Sequence, residues 1–68
     1  MKKIKIQGEY ITLQQFLKIE NFISSGGEAK YYLNSNQVYV NNELENRRGR
    51  KLYPADVVQI DGKEYQFQ

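Results

Sequence analysis

Cysteine, histidine and tryptophan are absent from this 68-residue chain, and proline occurs once. Without cysteine there is neither a disulfide staple nor a thiolate metal site, and without histidine the commonest metal ligand and proton shuttle is missing. No metal, cofactor or redox chemistry is therefore expected. A nucleophile and its base would have to be drawn from Ser, Lys, Asp or Glu, and no spacing motif arranges them, so the chain reads as a non-enzyme with no catalytic residues and no small-molecule substrate. Long apolar runs are also lacking. Charged or amide side chains interrupt every apolar cluster well short of the roughly 18 residues a membrane span needs. After the basic start Met1-Lys2-Lys3, the residues Ile4, Lys5, Ile6 and Gln7 alternate instead of forming the apolar core of an export signal. A cytoplasmic protein away from membranes is the expectation.

Acid is scarce in one place in particular. Ten Lys/Arg against eight Asp/Glu give a net charge of only +2, yet Arg47, Arg48, Arg50 and Lys51 fall within one short segment with no carboxylate among them. A chain of this size buries roughly 60% of the surface it exposes when unfolded. Its core is small, and its organisation is legible as one continuous unit over residues 1–68, without repeat, linker or low-complexity tract.

The pattern changes period along that unit. Residues 3–7 alternate as a half-buried strand does, and Gly8 closes the run. Thr12, with Gln15 three residues later and Leu13, Phe16 and Leu17 at helical spacing, spells a capping box and an amphipathic stripe, predicting a helix over 13–21 with Gln14, Gln15 and Lys18 on its polar face. Phe22 and Ile23 are further core candidates. A second capping box is read at Ser25 and Glu28, with Ala29, Tyr32 and Leu33 facing the core and Lys30, Tyr31 and Asn34 facing away. Left-handed backbone at Asn36 should end that helix near Ser35. Beyond it, Val38 and Val40 alternate with polar partners, and Asn41-Asn42 suits a tight turn. The stretch Leu52 to Asp56 reads as a loop, Val57 to Ile60 as a strand, and Asp61-Gly62 as a hairpin turn into a last strand over 63–67. Two short helices packed on a small, mostly antiparallel sheet make an α+β fold.

Two segments carry candidate chemistry. In Ser24 to Lys30, a helix start with two glycines could admit a phosphate to its free N–H groups, though the segment alone favours a plain cap between packed helices, since capping boxes are common and phosphate sites are not, and Glu28 opposes an anion. In Arg47-Arg48-Gly49-Arg50-Lys51, clustered guanidinium groups can grip phosphates or stack on bases; the bland alternative is a solvated loop. Of six tyrosines, Tyr32 falls on the core side, whereas Tyr31 and Tyr39 are placed outward, where a base could stack. Glu43, Glu45 and Glu64 read as solvated positions.

In order along the chain, "LQQFLK", "SGGEAK", "VYVNNE", "RRGRK" and "ADVVQI" resemble the RNA-binding domain first defined in ribosomal small-subunit protein four, the S-four domain or alpha-L motif, with a core motif over about 12–58. The small stand-alone bacterial members look most similar. The resemblance implies a cationic surface made by the second helix start, the following strand turn and the basic loop: Ser25, Gly26, Gly27, Lys30, Tyr31, Asn41, Arg47, Arg48, Arg50 and Lys51. It implies structured RNA as partner, ribosomal RNA foremost and transfer RNA next, and an association with ribosomal subunits. Departures fall where many relatives carry Arg-Leu-Asp on the first helix and this chain has Phe16-Leu17-Lys18, where they carry Gly at Asn36, Asn-Gly at Asn41-Asn42, and Gly-Asp at Ala55-Asp56. Two other readings compete: a β-grasp sulfur carrier, suggested by "IKIQGEYITLQQFL" but lacking a C-terminal Gly-Gly, and a module docking an acidic protein.

Overall fold

The computed structural model describes residues 1–68. Strand β1 (Lys2–Ile4) is followed by β2 (Ile11–Thr12), helix α1 (Leu13–Ile19), a 3-10 turn at Gly26–Glu28, helix α2 (Ala29–Ser35), and strands β3 (Val38–Val40), β4 (Glu43–Leu44), β5 (Lys51–Leu52), β6 (Val57–Ile60) and β7 (Lys63–Phe67). Five strands form one sheet in the order β1-β7-β6-β3-β4, parallel only between β1 and β7; β2 and β5 form a separate antiparallel ladder. The fold is α+β, as its alternating and helical periods imply.

The two tight turns form as their residues demand. Asn41 and Asn42 sit at φ 51° and 69°, and Asp61 and Gly62 at 51° and 78°, so both are turns with two left-handed residues that match the twist of the strands they join. Ala55 is also left-handed, at φ 81°. Glycine adopts that conformation freely, whereas alanine there costs about 1 kcal/mol in Cβ crowding.

Phe16 is the centre of the core. It is fully buried, with the Tyr65 and Phe67 rings edge-on at 5.1 and 5.2 Å and Phe22 at 6.4 Å. Leu13 and Leu17 bury the rest of the α1 stripe, Ala29 and Leu33 the α2 stripe, and Val38, Val40, Val58 and Ile60 the sheet face beneath. Burying side chains of this size stabilises by about 1.5–3 kcal/mol each.

Several boundaries depart from the periodic reading. The first strand is Lys2–Ile4, not 3–7, although Ile6 stays buried and its N–H still reaches the Gln68 carbonyl at 2.7 Å. The first helix stops at Ile19, two residues before the expected end, because Asn21 turns left-handed at φ 61°. The Asn21 N–H then donates to the Lys18 carbonyl and the Phe22 N–H to that of Leu17, closing the helix while Phe22 packs back on Phe16. Asn36 does not play that part for α2. It is extended (φ −130°, ψ 148°), and both its backbone N–H and its side-chain amide donate to the Tyr32 carbonyl. Leu52 is no loop residue: it pairs with Ile11 in the small ladder and is fully buried.

Candidate nucleic-acid interface

The basic loop is built on the start of α1. An α-helix leaves its first N–H groups without partners inside the helix. Here the Leu13 N–H donates to the Arg50 carbonyl at 2.8 Å and the Gln14 N–H to the Arg48 carbonyl at 3.0 Å. The next N–H, of Gln15, goes to the Thr12 hydroxyl at 3.2 Å, and the Gln15 side chain accepts from the Thr12 N–H at 2.8 Å, so the expected capping box is complete. With the Arg48 and Arg50 carbonyls turned onto the helix and β5 pairing beside β2, the loop leaves Arg48 and Lys51 exposed.

Glu45 organises those side chains, and it is not the solvated residue its sequence context suggests. It is the one buried charged residue in the molecule, 6% exposed. One carboxylate oxygen accepts from the Arg47 backbone N–H (3.0 Å) and Nε (2.9 Å), the other from Arg47 Nη2 (3.0 Å) and Arg50 Nη1 (2.8 Å). The Arg47 guanidinium fork is the largest influence holding the Glu45 carboxyl down at about 2, against the ordinary 4.5; burial works the other way and is outweighed. Arg47 is correspondingly raised by the same contact. The charges of Arg47 and Arg50 are therefore partly spent inside the protein. Arg48 and Lys51 have no carboxylate partner, although Lys51 Nζ lies 5.0 Å from the Tyr10 ring centroid. A surface hollow of about 380 Å³ opens here, lined by Arg47, Gly49, Arg50, Lys51 and Tyr53.

The glycine turn adjoins this loop through Gln14. Gly26 leaves room for the Gln14 side-chain amide, and an added Cβ would collide with Gln14 Nε2. The same residue's backbone is bonded to Arg48. Gly26 thus accommodates a neighbour in its own chain, while beside Gly27 nothing but the Ser25 hydroxyl comes as near as 4.0 Å. The expected box at Ser25 and Glu28 does not form. Gly26–Glu28 wind as a 3-10 turn, the Glu28 N–H donates to the Ser25 carbonyl at 3.1 Å, and the Glu28 carboxylate turns back to the Ser24 N–H at 3.1 Å. Lys30, in the first turn of α2, is exposed without an acidic partner. Tyr31 is 74% exposed.

Of the ten positions singled out from sequence, nine lie on the glycine turn with its following helix or on the arginine loop, and Gln14 joins those two segments. Asn41 stands apart as a brace. Its amide oxygen accepts from the Val57 N–H at 3.0 Å, and its amide nitrogen donates to Asp56 at 3.0 Å, so both ends are engaged in fixing the Asp56 loop. Tyr39 is half-buried on the sheet face opposite Val38 and Val40. On the first helix, Phe16 and Leu17 are wholly buried and only Lys18 of that trio reaches the surface. Glu45, Gln14, Tyr10 and Tyr53 were not visible as site residues. Nothing in their spacing signals a buried counter-charge or a loop docked on a helix start.

No helix is long and apolar enough to cross a membrane. A family model described as "S4 domain" matches residues 4–68, extending the core motif read at about 12–58 to both flanking strands. The chain is 58% identical over 59 residues to "Probable ribosome maturation protein RlbA" of Bacillus subtilis (strain 168), covering 87% of this chain and 83% of that protein.

Proposed function

The chain belongs to the S4 domain family, and from that premise we propose that it is a non-catalytic module that binds structured RNA, ribosomal RNA foremost, in the course of ribosome maturation. The name of the B. subtilis relative supports the ribosomal context, and the family separates the chain from the β-grasp sulfur carriers. One observation carries the reading: the first turn of α1 holds the backbone of Arg48 and Arg50, the loop so held opens a shallow hollow lined by Arg47, Arg50 and Lys51, and Arg48, Lys51 and Lys30 stand as cations without carboxylate partners. Such a surface suits phosphates displayed at fixed spacing along a folded polyanion.

Affinity for purified ribosomal RNA, measured by fluorescence anisotropy across a salt series, tests it. Each phosphate contact contributes about 0.7–0.9 to the slope of log affinity against log salt. The double variant Arg48→Ala, Lys51→Ala should lower that slope by about 1.5 and leave thermal stability unchanged. An unaltered slope would remove the loop from the interface. Transfer RNA in the same titration ranks the second RNA class. Partners captured from lysate that survive ribonuclease would instead favour docking on an acidic protein.

A further inference from the structure

A second surface hollow, of about 430 Å³, is lined by Tyr10, whose ring also meets Lys51 of the arginine loop. Lys5 and Lys18 border it, Tyr10, Ile11 and Ile19 supply its apolar wall, Gln15 adds an amide, and no carboxylate lines it. Ile19 is 56% exposed. Tyr10 ties this hollow to the first one: Lys51 Nζ lies over its ring at 5.0 Å, and the Tyr53 ring, which walls the arginine hollow, is tilted beside it at 5.7 Å between centroids. The two hollows therefore meet at an aromatic ridge, with cations on both sides.

We propose that this ridge and the lysine hollow form a subsite for an unpaired nucleotide of the bound RNA, its base against Tyr10 and the apolar wall and its flanking phosphates between Lys18 and Lys51. The proposal rests on the RNA-binding reading and extends it from a phosphate grip to recognition of single-stranded character. The chemistry is specific to that occupant. A paired helix keeps its base faces stacked away from such a ridge, whereas an unpaired base has a free π-face for an aromatic side chain and an apolar edge for isoleucine. Two lysines without an acid complement an anion and disfavour an acidic-residue-free apolar peptide. Lys18 stands on the exposed side of the first helix, and the hollow gives that lysine a ligand to meet.

Amide chemical shifts of the full chain, followed by NMR during titration with hexauridylate and separately with a blunt twelve-base-pair RNA duplex, decide the matter. Hexauridylate should shift Tyr10, Ile11, Gln15 and Lys18 together with the arginine loop, whereas the duplex should shift the loop alone. Tyr10→Ala should weaken hexauridylate binding about tenfold, well beyond any loss of duplex binding through its contact with Lys51, and Tyr10→Phe should preserve both. Lys18→Ala, a surface change that leaves the core intact, should weaken hexauridylate severalfold. Shifts confined to the arginine loop with both RNAs would overturn the subsite and leave the RNA-binding reading standing. No shift with either RNA would overturn both.

Discussion

The two helices begin with the same signature and end up capped differently. Thr12-Leu13-Gln14-Gln15 opens α1 and Ser25-Gly26-Gly27-Glu28 precedes α2. In the first, hydroxyl and amide exchange bonds with the backbone, and the remaining early N–H groups are taken by the Arg48 and Arg50 carbonyls. In the second, the serine hydroxyl caps nothing and the glutamate bonds one residue too early, to Ser24. The glycines explain the difference. They let the chain tighten into a 3-10 turn, in which the Ser25 carbonyl takes the Glu28 N–H that the hydroxyl would otherwise have received. A capping motif thus states what a helix start is able to do, and the neighbouring chain decides what it does. The glycine-rich start looks like the natural anion cradle, yet it is the start of α1, sealed inside the molecule, that aims the cationic loop.

The largest test of this contrast is to loosen the loop that seals α1. Glu45→Ala removes the carboxylate that gathers Arg47 and Arg50, leaving donors without an acceptor beneath the loop. A cost of about 2 kcal/mol is expected, lowering the melting temperature by about 10 °C. Glu45→Gln gives the pH dependence. The folded-state carboxyl is depressed from 4.5 to about 2, so its stabilisation is fully present above pH 4.5 and is lost as pH falls toward 2. Urea unfolding of the parent and the Gln variant should therefore show a stability gap at neutral pH that closes between pH 4.5 and pH 2. A gap that stays constant over that window would mean that the carboxylate charge is not what holds the loop.

Periodicity made the sheet and helix cores legible. The stripes Leu13-Phe16-Leu17 and Ala29-Leu33 and the alternation at Val38 and Val40 are local signals, and each is buried as read. The hairpin at Asp61-Gly62 is equally local. What escaped is made by pairs distant in sequence. The bonds from Leu13 and Gln14 to residues 50 and 48, the β2–β5 ladder that buries Leu52, and the Tyr10–Tyr53 ridge leave no periodic trace. Glu45 escaped for another reason: an acid two residues from an arginine run looks like ordinary surface charge until the loop folds over it. The arginine cluster itself was plain from composition. Its division into two spent cations and two free ones was not.

Next in size is the cap itself. Thr12→Ala should cost about 1 kcal/mol, because its hydroxyl satisfies a helix N–H that has no other partner, whereas Ser25→Ala should change the melting temperature by less than the measurement resolves, because that hydroxyl bonds nothing. Equal losses at the two positions would erase the distinction between the helix starts.

The smallest effect separates the two glycines. Gly27 does not have positive φ and has open space around it, so Gly27→Ala should stabilise the protein by about 0.5 kcal/mol through the unfolded chain. Gly26→Ala should yield no such gain, since the new methyl group must push the Gln14 amide out of its place. The conflict is with a flexible side chain and not with backbone, so it should vanish when that side chain is shortened. In a Gln14→Ala background, Gly26→Ala should recover the half kilocalorie seen at Gly27, and this non-additivity, read from a double-mutant cycle of denaturant midpoints, reports the contact that joins the glycine turn to the arginine loop. Strict additivity would show that the two segments meet without Gln14 between them.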